Sequence, residues 1–174
     1  MKPLSAIALF TMTGASLWAS GFGVGVQTAF DLGDGHAIAP RLEYQRYTDS
    51  SSVAGPVLSP IDMNATVNCF SLGADYNYFF SGRTGRGFYV LGGLGVASAS
   101  FNVTASTAGL SSQATSHQTV LYPEAGAGYQ FNRNLGLEVL YKDLRFDDVN
   151  LAVAGTPVGY SFSGSLQADL VLRF

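Results

Sequence analysis

The sequence predicts an all-β chain folded as a transmembrane, antiparallel, up-and-down β-barrel, and three observations predict it. The first is a charge deficit, since only 12% of the residues are charged and 47% are hydrophobic, where a soluble domain carries about 25% charge. The second is a strict alternation of apolar and polar residues, broken by Gly, Asp, Asn, Ser and Pro into segments of about ten residues, the period of strands. The third is that short and long connections between these segments take turns, as in a barrel with short turns at one end and longer loops at the other.

The same composition excludes other classes. No internal window approaches the roughly 18 to 20 apolar residues of a spanning helix. A net charge of -3 and a pI near 5.1 leave no basic surface for phosphates, so nucleic acid is not a partner. One cysteine, Cys69, allows no intramolecular disulfide. The N-terminus is different in kind. Lys2, an apolar run over 4–12 and small residues in TGAS and LWAS have the order of a secretory signal. The expected organisation is therefore a cleaved signal peptide over 1–20 and one barrel domain over 21–174.

Seven segments carry the alternation: 22–31, 37–48, 65–80, 87–101, 118–131, 135–146 and 159–174. The short connections are 32–35, 81–87 and 132–134; the long ones, rich in Ser, Thr, Ala and Gly, are 49–64, 102–117 and 147–158. In the last segment Phe162, Leu166, Ala168, Leu170, Leu172 and Phe174 share one face, with Ser165, Gln167, Asp169 and Arg173 on the other. Leu42 and Tyr44 oppose Arg41 and Glu43, Leu72 and Tyr76 oppose Asp75, and Leu137 and Val139 oppose Glu138. A soluble, lipocalin-like barrel turns the apolar face in, around a hydrophobic ligand; a membrane barrel turns it out. Aromatic residues near strand ends, among them Phe22, Phe30, Tyr44, Tyr76, Tyr78, Phe80, Phe88, Tyr129, Phe131 and Tyr141, favour the outward solution because they suit interfacial girdles.

The strings GFGVGVQTAFDLGDGHAIAPRLEYQRY, LGADYNYFF, FYVLGGLGVA, GAGYQFNRNLGLEVLYK and the terminal LQADLVLRF resemble the small outer-membrane β-barrel domain family of OmpA and opacity-type proteins. The resemblance covers nearly all of 21–174. It implies an eight-stranded barrel in the outer membrane of a diderm bacterium, in contact with outer-membrane lipid. It also implies that Leu170, Leu172 and Phe174 form a signal read by the barrel-assembly machinery, with periplasmic chaperones as partners on the way. Seven strands leave the first and last parallel, whereas bacterial barrels have an even number; the segment 149–153, before Gly155-Thr156-Pro157, is the best candidate for an eighth.

With the polar face inward, the lumen collects Arg41, Glu43, Asp75, Glu124, Glu138, Lys142, Asp169 and Arg173, with Gln45 and Gln167 among the neutral residues beside them. An eight-stranded barrel is only just wide enough for its own side chains, so these charges are expected to form a plug of ion pairs. The alternative is a narrow channel for small polar solutes. Glycines on the same face make room for long side chains. No catalytic residue is expected: His117 beside Ser116 and Thr119 has no acid close in sequence, and His36 is a turn residue. No metal or cofactor is expected either, because Asp31, Asp34, Asp143, Asp147 and Asp148 are too scattered for a calcium loop and GVG, GGLG and GAG do not join a strand to a helix. Cys69 reads as an inert thiol, either buried or at an interface. The expected role is structural or surface-interacting and non-enzymatic, with the partner of the long loops undetermined.

Overall fold

The structure is a computed structural model and describes residues 7–12, 20–53, 60–107, 109–132, 134–153 and 156–173. Its elements are β1 (Ile7–Met12), β2 (Ser20–Gln27), β3 (Phe30–Gly33), β4 (His36–Val53), β5 (Ile61–Phe79), β6 (Gly87–Thr107), β7 (Leu110–Gln130), β8 (Leu135–Lys142), β9 (Val149–Val153), β10 (Thr156–Tyr160) and β11 (Ser165–Arg173). The ladder runs β2-β1-β11-β8-β7-β6-β5-β4-β3, and β2 also pairs with β4, so the hydrogen bonding returns on itself as a closed ring. Closure removes the sheet edges that would otherwise expose unpaired backbone. Every pairing in the ring is antiparallel.

The ring has eight staves, with β3 continuing the stave of β2 against β4. The eighth is not the segment 149–153: β9 pairs only with β10, in a separate two-stranded hairpin outside the ring. β1 takes that place, between β2 and β11, with Phe10 opposite both Val24 and Leu170.

Local sequence sets the short turns. Asp34 and Gly35 form a two-residue hairpin loop with φ of 52° and 83°, between the paired Gly33 and His36. Positive φ at both positions is the twist-compatible solution for such a loop, and Asp-Gly is among its preferred sequences. At the turn after β7, the Asn132 side-chain oxygen accepts from the backbone N–H groups of Asn134 and Leu135 at 2.8 and 3.0 Å. At the turn after β5, the Ser81 hydroxyl donates to the Arg86 carbonyl at 2.7 Å. All three turns lie at the same end of the barrel.

Two connections expected to be loops are largely strand. β6 and β7 are 21 residues each and pair in unbroken register from Gly87↔Gln130 to Thr107↔Leu110, so 102–117 is a hairpin tip and not a loop. β4 and β5 likewise pair out to Val53↔Ile61, which shortens the connection 49–64. A membrane crossing takes about 9 to 11 residues, so β4 to β7 stand well beyond the belt as a four-stranded overhang.

The alternation changes phase where the overhang begins. Along β5, Tyr78, Tyr76, Leu72 and Phe70 are exposed on the outside while Asn77, Asp75 and Ser71 are buried. Beyond Phe70 the faces exchange chemistry: Cys69, Val67, Ala65, Met63 and Ile61 turn inward and are buried, and Asn68, Thr66, Asn64 and Asp62 turn outward. β6 changes at the same height, from exposed Leu94 and Val96 to outward Ser98, Ser100, Asn102 and Thr104, with Phe101 and Val103 buried behind them. The lower half thus carries its apolar face toward lipid, and the upper half carries its apolar face toward a core, as any sheet in water must.

That outward apolar face overturns the soluble lipocalin-like alternative: Leu166, Leu170, Leu94 and Leu121 are exposed at 50%, 43%, 71% and 81%, while Arg41 and Lys142 are buried inside. Around the short-turn end the exposed aromatics form a girdle with edge-to-face contacts, Phe88 to Tyr129 at 4.6 Å, Tyr129 to Phe131 at 5.0 Å and Tyr78 to Phe80 at 5.4 Å between ring centres. Phe162 is a correction to the lipid-facing set. It is buried, because 161–164 leaves the strand and folds over the barrel mouth, where its ring lies 5.0 Å from Tyr47.

Cys69 lies in the upper core and is 2% exposed. A maleimide is expected to leave it unmodified in the folded protein and to label it fully after heating. Rapid labelling without heating would mean that the overhang is open.

Candidate functional site

The lumen has two storeys. The lower one is ionic and is built around Arg41 of β4, whose residue exposure is 2%. Its guanidinium donates to Asp75 of β5 (Nε to Oδ2, 3.0 Å), to Glu43 of its own strand (3.2 Å), to Asp169 of β11 (3.4 Å) and to Glu138 of β8. Five donors in a rigid fork suit one cation that must face several carboxylates at once. Lys142 of β8 pairs with the second oxygen of Glu43, and its Nζ lies 3.8 Å from Glu124 of β7.

Neutral side chains complete the network. Tyr89 of β6 donates to Glu138 at 2.7 Å, Gln45 donates to Glu43 at 3.1 Å, and Tyr47 donates to Gln45. Lys142 also lies 5.4 Å from the centre of the Tyr122 ring, within cation–π range. Seven of the eight residues expected in the lumen therefore come together. The side chain of the eighth, Arg173, lies outside the described residues, so the described network sets five carboxylates against two cations.

Glycine on the inner face creates the space. A Cβ on Gly128 would come within 2.6 Å of the Tyr89 ring carbon Cε1, and one on Gly95 within 2.5 Å of Tyr122. Each glycine thus lets a neighbouring tyrosine lie flat across the lumen beside the ion pairs. Tyr47, Tyr89 and Tyr122 belong to this interior although the sequence does not single them out. Their shared parity with the polar residues of their strands is the available signal.

The upper storey is apolar. Tyr47, Met63, Val67, Phe101 and Val103 of the overhang pack with Leu144, Phe146, Val149, Tyr160 and Phe162 from the segment between β8 and β11. The Phe146 ring contacts Phe101 at 5.1 Å and Phe162 at 6.2 Å. The Gln118 amide holds this segment to β7 by exchanging two hydrogen bonds with the Asp147 backbone, at 2.9 and 2.7 Å.

The other positions expected or weighed fall elsewhere. His117 lies on the outer face of the overhang opposite Ser100, and Ser116 and Thr119 are not joined to it. His36 shares a hydrogen bond with the Tyr76 hydroxyl in the girdle. No cluster of three or more His, Cys, Asp or Glu side chains suited to a metal occurs among the described residues. Leu170 faces lipid, Leu172 pairs in β11 with Leu135, and Phe174 lies outside the described residues.

The model of the outer membrane protein beta-barrel domain matches residues 7–162, most of the chain. The chain belongs to that family. It is an outer-membrane β-barrel protein, in contact with membrane lipid through the belt described above. Among solved structures, it is similar to a major outer membrane protein from Thermus thermophilus, with a TM-score of 0.59 and 16% identity over all of both chains. It is also similar to the N-terminal β-barrel domain of Pseudomonas aeruginosa OprF, with a TM-score of 0.52 and 18% identity over 99% of this chain and 100% of that one. At these identities the likeness concerns the fold. No curated protein matches the sequence.

Proposed function

We propose that this outer-membrane barrel is a sealed, non-enzymatic envelope protein with a structural or surface-interacting role, and not a channel. The observation that carries the reading is the pairing of Arg41 with carboxylates from β4, β5, β8 and β11 across the lumen, beneath the apolar packing of Phe146 and Phe162. An ion would have to break buried pairs below and part packed aromatic rings above, and each step is costly in a low-dielectric interior. Planar-bilayer recordings of the refolded protein are expected to show no steady conductance. Steady, ohmic openings in the unmodified protein would establish the narrow-channel alternative instead.

Residues 1–20 are proposed to act as an export signal removed on translocation, supported by their charged start and short apolar run. β1 lies inside that segment, between β2 and β11, which run in the same direction, so a cleaved chain closes its ring by pairing β2 with β11 in parallel. Intact mass of protein purified from membranes is expected to correspond to a chain starting at Gly21. A mass that retains 7–12 would overturn cleavage and make β1 the permanent eighth stave. Beyond the seam, Leu170, Leu172 and Phe174 are proposed as the signal read by the barrel-assembly machinery after delivery by periplasmic chaperones.

A further inference from the structure

We propose that the outer face of β5, β6 and β7 is a binding site for a glycolipid of the surrounding leaflet, with its acyl chain in the belt and its sugar headgroup on the overhang. Two observations meet there. Within the belt, Leu72, Leu94, Val96 and Leu121 border an open, almost wholly apolar groove of about 530 Å³ over Ala74 and Gly95. Directly above it these strands and the adjoining β4 present an outward polar surface, whose lowest complete row is Arg46, Asn68, Ser100 and His117 in cross-strand register, followed by Thr48, Thr66, Asn102 and Thr115.

The composition of that surface selects the headgroup. A surface that only meets water ordinarily carries about 25 to 35% charged residues of both signs. These two rows contain one permanent charge, Arg46, and are otherwise hydroxyls, amides and His117. Neutral hydroxyls and amides at strand spacing are donors and acceptors suited to polyhydroxyl sugars, and one guanidinium suits a phosphate on them. The side chains are also held in place: Tyr44 donates to Asn68 at 3.0 Å, Thr115 to Asn102 at 3.1 Å, and Thr119 to Ser98 at 3.3 Å. The packed apolar core behind them keeps the face rigid, so little ordering cost attends binding.

Continuity with the lipid belt fixes the source. The outward polar positions begin two residues beyond the last apolar ones, Asn68 after Phe70, Ser98 after Val96 and Thr119 before Leu121, and residues two apart along a strand are separated by about 6.7 Å. They therefore stand at headgroup depth, where a lipid lying in the groove brings its own sugars. The proposal rests on the membrane orientation and not on whether the lumen is sealed, so bilayer conductance has no bearing on it.

The test compares unfolding midpoints, read as loss of the unheated gel species, in phospholipid vesicles with and without rough-type lipopolysaccharide. Lipopolysaccharide is expected to raise the wild-type midpoint by on the order of 5 °C. Ala74→Phe, which fills the groove with apolar volume, and Ser100→Ala/Asn102→Ala, which strips the sugar contacts, are each expected to lose at least half of that gain while keeping the midpoint in phospholipid alone. Ser106→Ala/Ser111→Ala, at the far tip, is expected to keep it all. If Ser100→Ala/Asn102→Ala fails to fold, Asn102→Asp replaces it and is expected to lose the gain by repelling phosphate. Equal gains in every variant, or none in the wild type, would overturn the proposal. An equal gain from the delipidated core oligosaccharide would overturn the assignment to a membrane glycolipid.

Discussion

Arg41→Met is expected to be the most damaging single substitution in the barrel, costing about 3 to 5 kcal/mol and removing the heat-resistant gel species at room temperature. The side chain is similar in length and fills much of the same space, so the loss is chiefly one of charge. Glu43, Asp75, Glu138 and Asp169 all face that guanidinium within ion-pair distance, with side chains at most 1% exposed. Removing one partner of a buried pair leaves the other charge desolvated and uncompensated, which accounts for the magnitude. Here one removal takes the cation from four carboxylates, of which Glu43 keeps an ion pair with Lys142, the remaining cation of the described network, and Asp75, Glu138 and Asp169 do not. The double variant Arg41→Met/Glu138→Gln is expected to recover part of the loss, because neutralising one carboxylate relieves repulsion among the rest. Denaturant unfolding in phospholipid vesicles measures both. A double variant no more stable than Arg41→Met would mean that Arg41 acts through packing.

The second large effect lies on the opposite face. Leu94→Lys is expected to destabilise the folded barrel by about 2 to 4 kcal/mol, the cost of a cation facing lipid near the midplane. Leu94 is 71% exposed and stands on β6 between the girdle residue Phe88 and the first outward polar residue, Ser98. Ser98→Lys, only four residues further along the same face, is expected to cost about 0 to 1 kcal/mol, because there the ammonium reaches water. The gradient between them is the informative quantity. In a protein whose outer face met only water, both substitutions would be nearly neutral, so equal small effects in vesicle-based unfolding would place the belt elsewhere.

The lower half of the molecule is legible in the sequence because two constraints coincide there. Lipid demands apolar residues outside, and a narrow lumen demands polar residues that can pair inside, so Tyr76 against Asp75 or Leu137 against Glu138 stand out by parity alone. The Asp34-Gly35 turn carries its own conformational signature. The overhang is not legible by the same rule. Above Phe70 water replaces lipid and the apolar residues change face, so Val67 and Cys69 share the parity of Ser71 and the pattern reads as decaying into a loop. Its outward side chains, Ser, Thr and Asn, are also the residues that mark connections, and only the register between 87–107 and 110–130 shows that they pair.

Parity misplaces Phe162 for a related reason: it carries information only while a strand continues, and the chain crosses the barrel mouth before β11 begins at Ser165. The eighth stave is hidden because an export signal and a short apolar strand have the same composition. In the lumen, parity puts seven charged residues on one face but does not say which of them pair. Which carboxylates meet Arg41 depends on stagger between strands as distant as β4 and β11.

The closed barrel with its apolar belt turned outward is tested most directly by cell fractionation followed by gel migration of unheated and boiled samples in SDS. A ring without free edges leaves the detergent no unpaired backbone from which to begin unfolding. The protein is expected in the outer-membrane fraction, migrating faster unheated than boiled. Recovery in the soluble periplasmic fraction, with one mobility in both samples, would contradict the account.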